Sequence, residues 1–331
     1  MPADKYLKDL GVEHSHVDHA RGDTRNHFRY QGRIYKPNSE IQFEGKRLKI
    51  LGRMGEGAFG TAWLVMDWET RELFTLKVFK DLSKKEKQDL DRAMRTLHEE
   101  ASIPDGTIQK FVSQEVGADN LVLYSYVDGK DLSHQFKEKA DAATDIDRGM
   151  VHTLRLIENW NILAKRGLAH RDISLRNTMP AGTFIDPDGV GRIDELQGEG
   201  PLGQAWFLAP EACEGRIHAT SDLFSIGVIG ATYILGGVPQ GQQAKDKPLQ
   251  VRGWDDYDDT GRTLAKLLSK RVRLGFKKEG YWEIIRQSPN WLALSGNQHV
   301  KGFVNMLDHI LEDEPEARPQ SAEECLSILH E

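Results

Sequence analysis

The segment Gly55-Glu56-Gly57-Ala58-Phe59-Gly60 constrains the fold more than any other, because of what flanks it. Glycines at this spacing let a backbone approach phosphates closely and aim N–H groups at them. A dinucleotide-binding unit needs such a turn to lead from a strand into a helix. Here KRLKIL precedes the turn and TAWLVMDW follows it, both strand-like, which argues against a Rossmann fold. ELFTLKVFK continues the antiparallel texture. Leu90, Met94, Leu97 and Ala101 then fall at helical spacing, predicting one helix that ends near Pro104-Asp105-Gly106. LVLYSYV reads as a further buried strand, closed by Asp128-Gly129.

Beyond that point the pattern turns helical. Met150, Leu154, Ile157 and Ala164 mark a long amphipathic helix stopped by Gly167. A second helix starts behind Thr220-Ser221 and runs through DLFSIGVIGATYIL to Gly236-Gly237. It is apolar nearly all round, so it is expected to be a buried axis. No internal repeat is found. The expected fold class is α+β with two lobes: a polar N-terminal extension over residues 1–40, a small β-rich N-lobe with one helix over 41–127, and a larger α-helical C-lobe over 128–331. A length of 331 residues suits two compact units.

Composition narrows the partners. A formal charge of −7 gives no reason to expect nucleic acid or an anionic membrane. Two cysteines, Cys213 and Cys325, cannot make a disulfide framework and suit a reducing, cytoplasmic compartment. MPADKYLKDLG lacks the apolar core of a secretory signal, and the longest apolar run, near Ser225 to Val238, is short for a bilayer. His14, His16 and His19 lack accompanying metal ligands and read as part of a solvated tail.

Several residues carry chemistry. Lys77 sits inside the apolar strand FTLKVF, on the same face as Thr75, where burial is costly unless it meets an anion. His170-Arg171-Asp172-Ile173-Ser174-Leu175-Arg176-Asn177 follows the long helix. An Asp to accept a hydroxyl proton and an Asn amide oxygen to hold a metal suit phosphoryl transfer. Thr183-Phe184-Ile185-Asp186 ends an apolar strand in a carboxylate, and Asn177 with Asp186 offers the hard oxygens Mg²⁺ wants.

In this order, with Ala209-Pro210-Glu211, Asp222 and the late Arg318, the chain resembles the eukaryotic-type protein kinase family over residues 45–331. The resemblance implies ATP with Mg²⁺, or Mn²⁺ as an alternative, and a protein substrate. It implies that Gly55, Glu56, Gly57, Ala58, Phe59 and Gly60 cover the phosphates and that Lys77 holds them. Glu99, or Glu100 beside it, would pair with Lys77. Ala62 and Thr75 would cover the adenine. Ser125, Tyr126 and Val127 would form the linker, with Tyr124 in the gatekeeper place and Asp131 near the ribose. Asp172 would serve the acceptor hydroxyl, Asn177 and Asp186 the metal, and Glu211 would clamp Arg318.

The chain also departs from the family pattern. Asp186-Pro187-Asp188 stands where the family has Asp-Phe-Gly, and Pro187 fixes φ, so an inward/outward flip is expected to be restricted. Ser174 replaces a customary Lys, and Arg176 is the candidate to supply the charge. Gln204 stands where serine/threonine kinases usually place a Thr, although that acceptor class is still favoured over Tyr. Residues 186–211 contain no Ser, Thr or Tyr, so phosphorylation of this segment cannot switch the chain on. Asp194, Glu195 or Glu199 is expected to meet Arg171 instead. An active kinase is the leading reading. A pseudokinase scaffold and a small-molecule kinase are the rivals, and the extension is a candidate dock for a regulatory partner.

Overall fold

The computed structural model describes residues 27–57, 59–115, 120–135, 142–204, 207–235, 238–239, 251–252 and 296–331. The chain divides into one unit of Met1–Ala101 with Gln109–Gly129 and another of Ser102–Ile108 with Lys130–Glu331.

The first unit is built on antiparallel strands. These are β1 (Phe28–Tyr30), β2 (Arg33–Tyr35), β3 (Glu40–Phe43), β4 (Lys46–Glu56), β5 (Gly60–Asp67), β6 (Leu73–Phe79), β7 (Phe111–Glu115) and β8 (Leu121–Ser125). Six of them form a sheet in the order β3-β4-β5-β6-β8-β7, while β1 and β2 make a separate hairpin. Period-two alternation sorts its side chains. Trp63, Val65, Phe74, Leu76, Leu121 and Leu123 share one buried face; Thr75, Lys77, Val122 and Tyr124 point to the other.

Residues 28–43 are mostly assigned by the sequence to a polar extension, yet they supply Phe28, Tyr30, Ile41 and Phe43 to the Trp63 face. Phe28 stacks on Tyr35 at 5.5 Å and tilts against Trp63 at 5.1 Å. The Tyr30 hydroxyl donates to the Glu115 carboxylate on β7. The turns responsible are Gln31-Gly32 and Glu44-Gly45, all four residues at positive φ, which is the two-residue hairpin geometry that matches strand twist. His14, His16 and His19 lie outside the described residues.

Helix α1 (Lys84–Glu99) lies on the opposite face, where Tyr124 Oη meets Met94 Sδ at 3.5 Å. Its start is fixed by a capping box, with Ser83 N donating to Glu86 Oε2 (2.7 Å) and Glu86 N to Ser83 Oγ (3.3 Å). Leu90, Met94 and Leu97 are buried as the spacing predicts. Ala101 is not part of that stripe. The helix stops at Glu99 with Glu100 as C-cap, leaving Ala101 exposed beyond it.

The second unit is mainly helical. Its described elements are α2 (Leu132–Gln135), α3 (Ala142–Ala164), β9 (Leu168–Ala169), β10 (Gly191–Arg192), α4 (Pro210–Cys213), α5 (Ser221–Leu235), β11 (Val238–Pro239), β12 (Val251–Arg252), α6 (Gln298–Ile310) and α7 (Ala322–His330). The axis predicted from the apolar run is α5, whose Leu223, Phe224, Ile226, Val228, Ile229 and Ile234 are all buried. Close packing needs glycine here: a Cβ at Gly230 would lie 2.7 Å from Leu307 of α6 and 3.0 Å from Thr153 of α3. Gly149 likewise yields to the Tyr233 ring, and the Tyr233 hydroxyl meets His152 Nδ1 at 2.8 Å. Among the described residues no helix is long and apolar enough to cross a membrane.

Candidate active site

In the first unit the glycine-rich turn joins β4 to β5. Gly57 N donates to Gly60 O at 2.8 Å, and Lys80 N to Phe59 O at 2.8 Å. Ala58 lies outside the described residues. Gly60 is demanded by packing, since a Cβ there would sit 2.3 Å from the Val78 carbonyl oxygen. A Cβ at Gly55 would meet nothing within 4 Å, so packing alone does not demand a glycine there. Glu56 takes bonds from Lys80 Nζ (2.9 Å) and Arg53 Nη2 (2.5 Å), and Lys80 above all holds its carboxyl below the usual range.

Ala62 lies opposite Lys77 in the β5–β6 register, and Thr75 lies opposite Tyr124. The sequence-predicted Ala62, Thr75 and Lys77 therefore share one face of the sheet, the face that carries α1. Lys77 is 8% exposed, with Nζ 5.2 Å from the Phe79 ring centroid. Glu99 is the exposed last residue of α1 and Glu100 its half-buried C-cap, both clear of the helix's apolar stripe. At the linker, Ser125 N donates to Lys110 O (2.8 Å), its Oγ accepts from Lys110 N (3.0 Å), and its carbonyl accepts from Gln109 Nε2 (2.8 Å). Val127 follows, half-buried.

The second unit carries the remaining residues. Gly167, at φ +68, turns the chain out of α3 into β9, which delivers His170-Arg171-Asp172. Asp222, in the first turn of α5, accepts from His170 N (2.5 Å) and Arg171 N (3.0 Å), fixing the loop from beneath. Burial pushes its carboxyl up to about 6, against the pull of those two N–H groups and Arg171. His170 is fully enclosed, and burial pushes its imidazole down to about 4. The Arg171 backbone sits at φ 70, and its Nη2 donates to Gly200 O at 3.1 Å, next to Glu199.

Asn177 Nδ2 donates to Asp172 Oδ2 (2.8 Å) and to the Asp172 carbonyl (2.9 Å). Ile185 N donates to Asn177 O (2.9 Å), and Thr178 bridges Phe184, so a tight reversal brings Asn177 and Asp186 to the same end. Asp186 is left-handed (φ 61, ψ 57) and caps a short 3-10 turn, Pro187–Gly189. A non-glycine residue held there stores strain of the kind that accumulates at functional positions. With its amide nitrogen spent on Asp172, Asn177 has its oxygen left as a ligand; together with Asp186 this donor set fits a hard divalent cation.

Arg176 is exposed. Asp131 Oδ1 accepts from Ser133 N (2.9 Å) and His134 Nδ1 (3.2 Å), capping α2. The clamp is present: Glu211 meets Arg318 at 2.6 and 2.8 Å, with both side chains buried. Burial raises the Glu211 pKa, but the Arg318 guanidinium prevails and holds it low. Gln204 and Gly203 were not singled out as site residues by the sequence. Gln204 Nε2 donates to Ser174 Oγ at 3.0 Å, a pairing of positions 30 apart for which no local pattern gives a signal.

The Protein kinase domain family model matches residues 48–329. The chain is 24% identical over 195 residues to Serine/threonine-protein kinase Nek11 of Macaca fascicularis, covering 56% of this chain and 31% of that protein. It is 25% identical over 215 residues to Serine/threonine-protein kinase grp of Drosophila melanogaster, covering 62% and 41%. It is 22% identical over 262 residues to Serine/threonine-protein kinase C of Synechocystis, covering 70% and 47%. The chain thus spans less than half the length of each of these relatives. With the His170–Asn177 loop, the Asn177–Asp186 reversal and the Glu211–Arg318 clamp in place, the family match over residues 48–329 assigns the chain to the protein kinase domain family.

Proposed function

We propose that this chain is an active protein kinase that transfers the γ-phosphoryl group of ATP to a protein hydroxyl, with Ser or Thr favoured over Tyr. The observation that carries the reading is the Asn177 Nδ2 to Asp172 Oδ2 bond at 2.8 Å, which sets the carboxylate in a fixed orientation. Asp172 then accepts the proton of the acceptor hydroxyl as the hydroxyl oxygen bonds the γ-phosphorus, the bond from that phosphorus to the β-phosphate oxygen breaks, and ADP leaves. Asn177 and Asp186 are the residues to hold Mg²⁺, or Mn²⁺ in its place; the metal, when bound, offsets the negative charge of the phosphates. The backbone of Gly55, Gly57 and Gly60 covers the phosphates, and Lys77 contributes a nearly buried positive charge toward them. Val127 is the linker residue for the adenine, because the N–H, carbonyl and hydroxyl of Ser125 already bond Gln109 and Lys110.

Prior phosphorylation of the activation segment is not required. Residues 186–211 offer no hydroxyl, and Arg171 bonds the segment through the Gly200 carbonyl. The relatives' names support the Ser/Thr preference. A second reading, a nucleotide-binding scaffold without turnover, is favoured by Pro187 and Ser174, which stand where the family pattern has other residues.

Labelled ATP with Mg²⁺ distinguishes the two. Transfer to the chain itself or to a generic protein substrate, abolished by Asp186→Asn and by Lys77→Met, supports the kinase, and phosphoamino-acid analysis identifies the hydroxyl. Nucleotide binding with no transfer would overturn it in favour of the scaffold.

A further inference from the structure

Within the second unit, residues 200–204 meet the catalytic loop at three consecutive points. Arg171 Nη2 donates to Gly200 O at 3.1 Å. Gly203, at φ +102, lies so close to Asp172 that a Cβ would stand 2.8 Å from Oδ1 and 2.9 Å from the Arg171 carbonyl oxygen. Gln204 Nε2 donates to Ser174 Oγ at 3.0 Å. Ser174 is fully buried, and its carbonyl accepts from Asn177 N (3.1 Å) and Thr178 Oγ1 (2.8 Å). Asn177 in turn holds Asp172 Oδ2. Gln204 thus holds the Ser174 side chain, the Ser174 backbone carbonyl holds the Asn177 backbone, and the Asn177 side chain holds the carboxylate.

We propose that Gln204 is a positioning residue for phosphoryl transfer, acting through Ser174 on Asn177 and Asp172. Its bond to Ser174 pins the Gly203 backbone beside Asp172 Oδ1. Gly203 thereby packs directly against that buried oxygen, and any side chain at position 203 would press on the carboxylate. Both partners of the latch are uncharged. Its strength is therefore independent of salt and of pH across the neutral range, unlike a latch built on a cation or a phosphate. The proposal rests on the kinase reading for its catalytic consequence, but the latch itself has a readout that needs no turnover.

The test compares Gln204→Ala, Ser174→Ala and the double variant in the full chain. Amide hydrogen exchange at residues 198–204 is expected to rise about 10-fold in each single variant and no further in the double, because one shared bond is lost. With an accepted substrate, kcat falls about 10-fold in each while ATP affinity stays at the wild-type value. Gly203→Ala lowers kcat more than either. Exchange identical to wild type, single effects that add in the double, or ATP affinity falling in step with kcat would each overturn the proposal. If wild-type chain transfers no phosphate at all, the kinase reading falls, and the exchange series alone decides the latch.

Discussion

Asn177 places its amide nitrogen 2.8 Å from Asp172 Oδ2 and 2.9 Å from the Asp172 carbonyl oxygen, so one side chain fixes both the carboxylate and the backbone that carries it. In the proposed reading its oxygen serves a metal. The two roles come apart on mutation. Asn177→Asp keeps a hard oxygen ligand but loses the N–H donors, while Asn177→Ala loses both.

Phosphoryl transfer by Asn177→Ala is therefore expected to fall by about 10²–10⁴-fold. Asn177→Asp should recover part of that at raised Mg²⁺. Steady-state transfer across a Mg²⁺ titration checks both, and equal loss at every Mg²⁺ concentration would assign Asn177 to Asp172 alone.

Arg318 spends every N–H it has. Nε bonds Glu312 O, Nη1 bonds Glu211 Oε1 and Thr220 O, and Nη2 bonds Glu211 Oε2 and Asp313 O. Glu211→Ala would strand that buried cation and is expected to cost about 3–5 kcal/mol of stability. Glu211→Gln keeps an acceptor and should cost less. Denaturant unfolding of the two variants checks the order.

The aromatic cover of the sheet gives a third expectation. Phe28 is 6% exposed and touches Tyr35 and Trp63, so Phe28→Ala should lower stability by about 3–5 kcal/mol. Tyr30→Phe removes the hydroxyl that donates to Glu115 and accepts from Gln31 Nε2 (2.9 Å), and should cost about 1 kcal/mol. Urea midpoints measure both; a neutral Phe28→Ala would show that the hairpin does not hold the sheet.

Acid sensitivity follows from two buried imidazoles. Burial pushes His170 and His152 down to about 4, and for His152 the Arg155 and Arg148 charges add to it. Below pH 6.5 the unfolded chain takes up protons that the folded chain refuses, so stability falls as pH drops from 6.5 toward 4. Between pH 7 and 5 this is worth about 2 kcal/mol for His170 and about 1 kcal/mol for the less enclosed His152. Asp222 acts in the opposite sense: its carboxyl, raised to about 6, is protonated first in the folded state, giving stability back as pH falls from 6 toward 4. His152→Asn should remove the smaller part of the acid loss, read as a narrower gap between urea midpoints at pH 7 and pH 5.

Much of this molecule could be read from residue order alone. The strand-turn-strand at Gly55–Gly60 and the all-round apolar run that became α5 are local patterns, and local patterns survive folding. What escaped reading was local in another way or not local at all. Tyr30-Gln31-Gly32-Arg33 and Phe43-Glu44-Gly45-Lys46 each carry a residue-glycine pair between short β-formers, a hairpin signal hidden by the polar, charged composition around them. Ala101 continued the helical spacing, yet the helix ended at Glu99, because spacing marks a face and not its length. Gln204 and Ser174 meet only because the chain returns over its own loop, and no spacing announces that contact.

The hairpin over the Trp63 face also has a mechanical meaning. Tension applied at the N-terminal end would load β1 and β2 at their open end, opposite the Gln31-Gly32 turn, so their ladder bonds would give way one after another instead of sharing the load. Lifting the hairpin would strip Phe28 and Tyr30 from the sheet and bare its aromatic surface, leaving Lys77 on the other face undisturbed. A tether at the N-terminus could thus unfasten one side of the sheet like a zip while the glycine-rich turn stays in register.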